Sequence, residues 1–134
     1  MRRRIRRAIV DVAIVALAAS CGGGDQAAKE RPRSTASLKI AEPAANATID
    51  AKTFTVELDL EGGRIVKVVS QDLTSDEGHV HVSIDGKIIS QTFGKKEKVK
   101  APAKGRHLLQ AEFVAKDHGP FSPRVLDAVP FTVR

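Results

Sequence analysis

Tryptophan and tyrosine are absent from the chain, which carries five phenylalanines and four histidines as its ring-bearing residues. Proteins that hold single-stranded nucleic acid stack its bases on aromatic side chains, so this composition points away from a nucleic-acid partner. A single cysteine, Cys21, leaves nothing for an internal disulfide and excludes a zinc site built from several thiolates. Nor does the chain hold a Gly-x-Ser-x-Gly elbow, a glycine-rich phosphate loop or a His-Glu-x-x-His helix. Its carboxylates are scattered through strand-like runs and turns, with no pair that shares a cleft. No enzymatic chemistry is expected.

The 134 residues carry 22 Lys and Arg against 16 Asp and Glu, a balance that on its face suits a polyanion binder. Five of those cations (Arg2, Arg3, Arg4, Arg6, Arg7) and one acid (Asp11) fall within residues 1–20. Without that segment the balance is 17 against 15, a net charge of only +2 over 114 residues. A chain of that length supports one domain with a modest core.

Residues 1–20 have the three parts of an export signal: a cationic start at Met1–Arg7, an apolar run at Ala8–Ala19, and small residues before a cleavage point. At 12 residues the apolar run is too short to cross a bilayer as a helix, which takes about 20. Ala18-Ala19-Ser20-Cys21 resembles the lipobox of bacterial lipoprotein signal peptides, although Ala18 stands where leucine is commonest and Asp11 interrupts the apolar run. The resemblance implies that Cys21 receives a diacylglycerol, that the chain is cut before it, and that the new amino terminus takes a further acyl chain such as palmitate. Two or more acyl chains make attachment stable where one would be reversible. The protein is therefore expected to be exported and lipid-anchored to a bacterial membrane, with its domain outside the cytoplasm. Residues 21–36 are mostly glycine, alanine and charged residues, with one proline, a composition that reads as a flexible linker after the lipidated cysteine.

From Ser37 the apolar period is two. Phe54, Val56, Leu58 and Leu60 alternate with polar residues in Thr53–Leu60, and Val80, Val82 and Ile84 do so in His79–Ile84. Asp85-Gly86 then separates His79–Ile84 from Lys87–Phe93, the signature of a two-residue hairpin turn. His107–Val114 and the alternation of Val129, Phe131 and Val133 give two more strands, and Leu38–Ala41, Ile65–Val69 and Lys98–Ala101 are weaker candidates. About seven short strands over residues 37–134, with no amphipathic helix, predict an all-β antiparallel immunoglobulin-like sandwich. The AEPAANATI opening, the GHVHVSIDGK hairpin, AKGRHLLQAEFVAKDHGPFSP and the closing VPFTV together resemble bacterial Ig-like envelope domains. That resemblance implies a seven-stranded sandwich and leaves the ligand open.

The histidines are the most distinctive chemistry. His79 and His81 are two apart on a strand, on the face opposite Val80, Val82 and Ile84, with Cα atoms about 6.6 Å apart. They are expected on the outer surface, with Asp76 and Glu77 near enough to add oxygen. In an immunoglobulin-type sandwich the 79–84 and 107–114 strands pair antiparallel, which brings His118 back beside His79 and His81 and leaves His107 at the other end. Three imidazoles with an acidic neighbour suit copper(II) or zinc. The competing reading makes them ordinary strand residues, His81 facing Ser90 across the hairpin and His118 pinning its loop.

Two further features have paired readings. Lys95–Arg106 carries six cations and one acid; it is either a contact for anionic lipid or an acidic envelope polymer, or an edge strand kept soluble by lysine. In His118–Pro123 the two prolines stiffen a loop whose Phe121 either meets a partner or folds back to cap the core. The functional expectation is a membrane-anchored, non-catalytic binding or structural module of the cell envelope. Its partners are membrane lipid through acylated Cys21, with another envelope protein or an anionic surface. The alternative is a copper- or zinc-binding lipoprotein using His79, His81 and His118.

Overall fold

A computed structural model of the chain describes residues 30–134, so the signal segment and Cys21 lie outside the described residues. The strands are β1 (Ser37–Glu42), β2 (Ala47–Ile49), β3 (Thr53–Glu61), β4 (Arg64–Ile65), β5 (Glu77–Ile84), β6 (Lys87–Ser90), β7 (Lys96–Lys100), β8 (Gly105–Ala115) and β9 (Pro120–Val133). One sheet has the order β1-β3-β7; the other runs β2-β9-β8-β5-β4, with β6 also paired to β5. The protein is an all-β immunoglobulin-like sandwich, as the alternating apolar pattern predicts. β2, too short for periodicity to register, raises the strand number above that expected, β4 takes up only the first residue of the Ile65–Val69 candidate, and both pair parallel to their neighbours.

The period-two pattern maps directly onto burial. In β3 Phe54, Val56, Leu58 and Leu60 face inward, and in β5 Val80, Val82 and Ile84 do the same. All five phenylalanines are buried, with Phe54 beside Phe131 and Phe113 beside Phe121, each pair at 5.3 Å between ring centroids. In a chain without tryptophan or tyrosine these rings supply the largest apolar surfaces of the core.

Four departures from the sequence reading have identifiable causes. Phe121 is in the core at 1 % exposure, because β9 begins at Pro120 and not near Val129. The Asp85-Gly86 turn forms with φ of 52° and 79°, the two positive values of a type I′ turn. A register shift then intervenes between Val82 and Ser83, so Ser90 pairs with Val82 and not with His81. β6 ends at Ser90, short of Phe93, which turns inward to 1 % exposure. Beyond Ile65 the chain leaves the sheet, and Val68 and Val69 are exposed.

Residues 30–36, assigned from composition to the linker, lie against the sandwich. Pro32 accepts a backbone hydrogen bond from Ser122 at 3.0 Å, and Arg31 Nε donates to the Pro120 carbonyl at 2.7 Å.

Candidate functional site

β5 and β8 pair antiparallel from Gly78↔Ala115 to Ile84↔Leu109. That register carries the chain past Ala115 into a tight turn beside the start of β5. His118 occupies the turn with φ of 62°, and its amide donates to the Ala115 carbonyl at 2.9 Å. The three histidines expected to meet therefore do so. The His118 ring stacks on His79 with centroids 4.3 Å apart and planes within 7°. At its edge His118 Nδ1 shares a hydrogen bond with His81 Nε2 at 2.9 Å.

The environment of these rings differs from the exposed surface expected. His79 is buried at 1 % exposure although it is on the face opposite Val80. Its Nε2 donates to the Lys116 carbonyl at 3.3 Å, and the Ser70 amide donates to the same oxygen at 3.2 Å. The segment after β4 and the His118 turn together cover it. No sequence periodicity reports such a lid, because it comes from residues distant along the chain.

Carboxylates near the cluster are committed elsewhere. Glu77 accepts from Lys116 Nζ at 3.0 Å and from Arg64, so it turns away from the imidazoles it was expected to assist. Asp76 is represented in the local bonding through its carbonyl, which accepts from the Arg64 amide at 2.6 Å. Across the strands from His81 is Glu112, gripped by Arg124 through a two-pronged contact at 2.7 and 2.5 Å. Asp117, adjacent to His118, is held by both terminal nitrogens of Arg31 at 2.6 and 2.9 Å. The Arg31 guanidinium holds the Asp117 carboxyl far below the usual carboxylate range.

These contacts fix protons as well as positions. Burial lowers the His81 and His118 pKa values first, and the charge of neighbouring imidazoles lowers them further. The centroid separation of 5.2 Å between His81 and His118 is close to the 2.9 Å nitrogen contact plus two ring radii. Their rings thus meet edge to edge, one nitrogen donating and the other accepting. A metal would have to displace that proton and open the contact, since zinc or copper needs about 2.0–2.1 Å to each nitrogen. Among the described residues no group of three or more His, Cys, Asp or Glu side chains is arranged to hold a metal ion.

His107 is at the opposite end, as expected. Its Nδ1 donates to Asp85 at 2.6 Å and its Nε2 to the Ala103 carbonyl at 2.7 Å. Two donating nitrogens describe an imidazolium, and the Asp85 carboxylate raises its pKa. This residue locks the hairpin turn to the 101–104 segment.

No protein-family model matches the chain, and no curated protein matches it. Two solved structures are similar. A fibronectin(III)-like module of Clostridium thermocellum CbhA shares 16% identity, with 72% of this chain and 96% of that one covered and a TM-score of 0.46. An engineered protein shares 13% identity over 74% of this chain, with a TM-score of 0.48. The chain spans 20% of that engineered protein.

Three participants at the histidine end escaped the sequence reading. Glu112 and Arg124 carry a legible signal, since Glu112 has outward parity in β8 and faces His81 once the antiparallel register is drawn. Arg31 has none. It sits in a polar stretch, and only the fold brings it onto Asp117.

Proposed function

We propose that the protein is a non-catalytic binding or structural module of a bacterial cell envelope, held at a membrane through acylated Cys21. The observation that carries this reading is the docking of residues 31–32 at the His118 end of the sandwich. Nine residues lie between Cys21 and Arg31, and the ten backbone steps span at most about 35 Å when fully extended. A chain anchored at Cys21 would hold the sandwich by that end and display the Asp85-Gly86 end away from the lipid. Among the described residues no helix is long and apolar enough to cross a membrane.

The test is the membrane partition and mass of the chain expressed in a bacterial host. The wild type is expected in the membrane fraction, its amino-terminal peptide carrying the mass of a diacylglycerol-modified cysteine. Cys21→Ala is expected to lose the modification and the cleavage. An unmodified Cys21 in the exported wild type sinks the anchor.

The second reading, capture of copper(II) or zinc by His79, His81 and His118, has the convergence of the three rings in its favour. Calorimetric titration of each ion into the full chain, beside His79→Ala/His81→Ala, separates the two. Stoichiometric heat that vanishes in the double variant assigns the cluster to metal. Equal, negligible heats in both proteins remove that reading and leave the binding module.

A further inference from the structure

Val68 and Val69 are the most exposed large apolar side chains among the described residues, at 66% and 61%. They sit between β4 and β5, in a segment that is held on either side of them. The Val66 amide donates to the Gly78 carbonyl at 2.9 Å, and the Ser70 amide donates to the Lys116 carbonyl at 3.2 Å. Further along, Leu73 packs against the core. Residues 67–69 thus form a short arch pinned at both feet, with its two valines outside. Exposed valines by themselves indicate nothing, since folded proteins leave much apolar surface in water.

Their place in the fold gives them an occupant. Lys116, whose carbonyl holds Ser70, is followed by Asp117, and Asp117 holds the Arg31 guanidinium at 2.6 and 2.9 Å. The arch therefore shares one end of the sandwich with the point from which the chain leads back to Cys21. Ten backbone steps join Arg31 to Cys21 and reach at most about 35 Å, so a bilayer holding Cys21 is within reach of that end. Ile88, the next most exposed large apolar residue at 50%, belongs to the other end. It pairs with Ser83, five strand steps from Gly78, or about 17 Å.

We infer that the Lys67–Val69 arch rests in the interface of the bilayer that holds Cys21, with Val68 and Val69 among the headgroups and upper acyl carbons and the Asp85-Gly86 end turned outward. Charge selects the kind of surface. Lys67 adjoins the valines, Asp72 and Asp76 follow in the same segment, and none of the three forms an ion pair among the described residues. Arg64 and Lys116 are paired with Glu77, and Arg31 with Asp117. One unpaired cation beside two unpaired carboxylates gives acidic headgroups no hold, so the contact is apolar and suits a zwitterionic interface. Two valines bury too little surface to keep a free domain at a membrane. A tether makes so small a contact effective, because it holds the local concentration of lipid high. The inference rests on the anchor reading and adds the contact and orientation that the anchored domain adopts.

The chain has no tryptophan, so one introduced indole reports its own surroundings. Val69→Trp and Ile88→Trp, matched in chemistry at opposite ends, are each purified as the full chain from bacterial membranes. Both are reconstituted in phosphatidylethanolamine–phosphatidylcholine liposomes, with and without lipids brominated high on the acyl chains. Emission from Val69→Trp is expected to be blue-shifted and largely quenched by brominated lipid, and emission from Ile88→Trp to be unquenched. Indole favours a membrane interface wherever it is placed, so the difference between the two reads orientation. Adding Val68→Ser to Val69→Trp should reduce the quenching, with an unchanged thermal midpoint certifying the fold. Quenching that survives Val68→Ser undiminished would make the indole its cause and overturn the inference. A blue shift without quenching overturns it in favour of a protein partner such as a second copy. The mass of the amino-terminal peptide is read on the same samples. Acylated Cys21 with equal quenching at both positions, or with none, overturns this inference and leaves the anchor standing; unmodified Cys21 overturns both.

Discussion

Gly78→Ala is expected to lower the stability of the domain by about 3 kcal/mol or more. A Cβ at this position would be 1.8 Å from the Val114 carbonyl oxygen and 2.9 Å from its carbon. Both are backbone atoms of the paired strand, so no side-chain rotation relieves the overlap. Strand β5 would have to separate from β8 where Gly78 pairs with Ala115, and where the Gly78 carbonyl accepts from the Val66 amide at 2.9 Å. Val66 belongs to the segment that continues into the cover over His79, so the histidine end should loosen together with the sheet. For a domain of this size the midpoint of thermal unfolding should fall by about 12 °C or more. Gly86→Ala is the control. Its Cβ meets nothing within 4 Å, so the cost there comes only from the φ of 79°, about 1–2 kcal/mol for a residue in that region. Denaturant unfolding of both variants checks the contrast, and equal losses would show that the β5–β8 spacing at Gly78 is not closed.

Acid is expected to destabilise the protein from about pH 6.5 downward, well before its carboxylates titrate. His81 and His118 have folded-state pKa values below the ordinary 6.5, burial being the leading cause for both. A lowered folded pKa means that the unfolded chain binds more protons in this window, so stability falls as pH falls through the folded value. The geometry gives the same sign. The His81–His118 contact needs one nitrogen to accept, and protonation of both rings replaces that bond with two adjoining cations. Glu112 and Asp117 oppose this effect by favouring the charged rings, although each is already held by an arginine. Lys116 and Arg31 add positive charge on the same side.

Glu77 and Asp117, lowered mainly by their hydrogen bonds to Lys116 and Arg31, stabilise in full above about pH 4.5 and lose that contribution only as pH falls below it. His107 works in the opposite direction: its pKa is raised by Asp85, so its contribution is complete below about pH 6.5 and fades as pH rises through the folded value. Urea unfolding of the full chain between pH 5 and 7.5 is the measurement. The steepest slope a single proton allows is about 1.4 kcal/mol per pH unit, and partial solvent exposure of the rings reduces it. His118→Asn should flatten the acid slope, since asparagine tolerates the φ of 62° but does not titrate. His107→Gln should leave that acid slope unchanged and abolish the gain in stability on lowering the pH toward about 6.5. A wild-type slope that survives His118→Asn unchanged would place the responsible proton elsewhere.

The sequence by itself determined the sheet faces, because side chains in a strand alternate with a period of two that apolar residues must obey if one face is buried. Val80, Val82 and Ile84 could not point anywhere but inward, and the Asp85-Gly86 turn followed from two residues that accept positive φ. The meeting of His79, His81 and His118 was legible for the same reason, as antiparallel pairing of two neighbouring strands fixes which ends coincide. The tertiary structure decided what periodicity cannot encode. A bulge shifted Ser90 from His81 to Val82, a distant segment covered an outward-facing His79, and β9 took in Phe121 and began nine residues before Val129. It also docked Arg31 on Asp117, 86 residues away, although nothing in the polar composition around Arg31 distinguishes a tether from a strap. Local patterns report which face of an element is dry; which remote segment dries it depends on contacts that form only when the whole chain has packed.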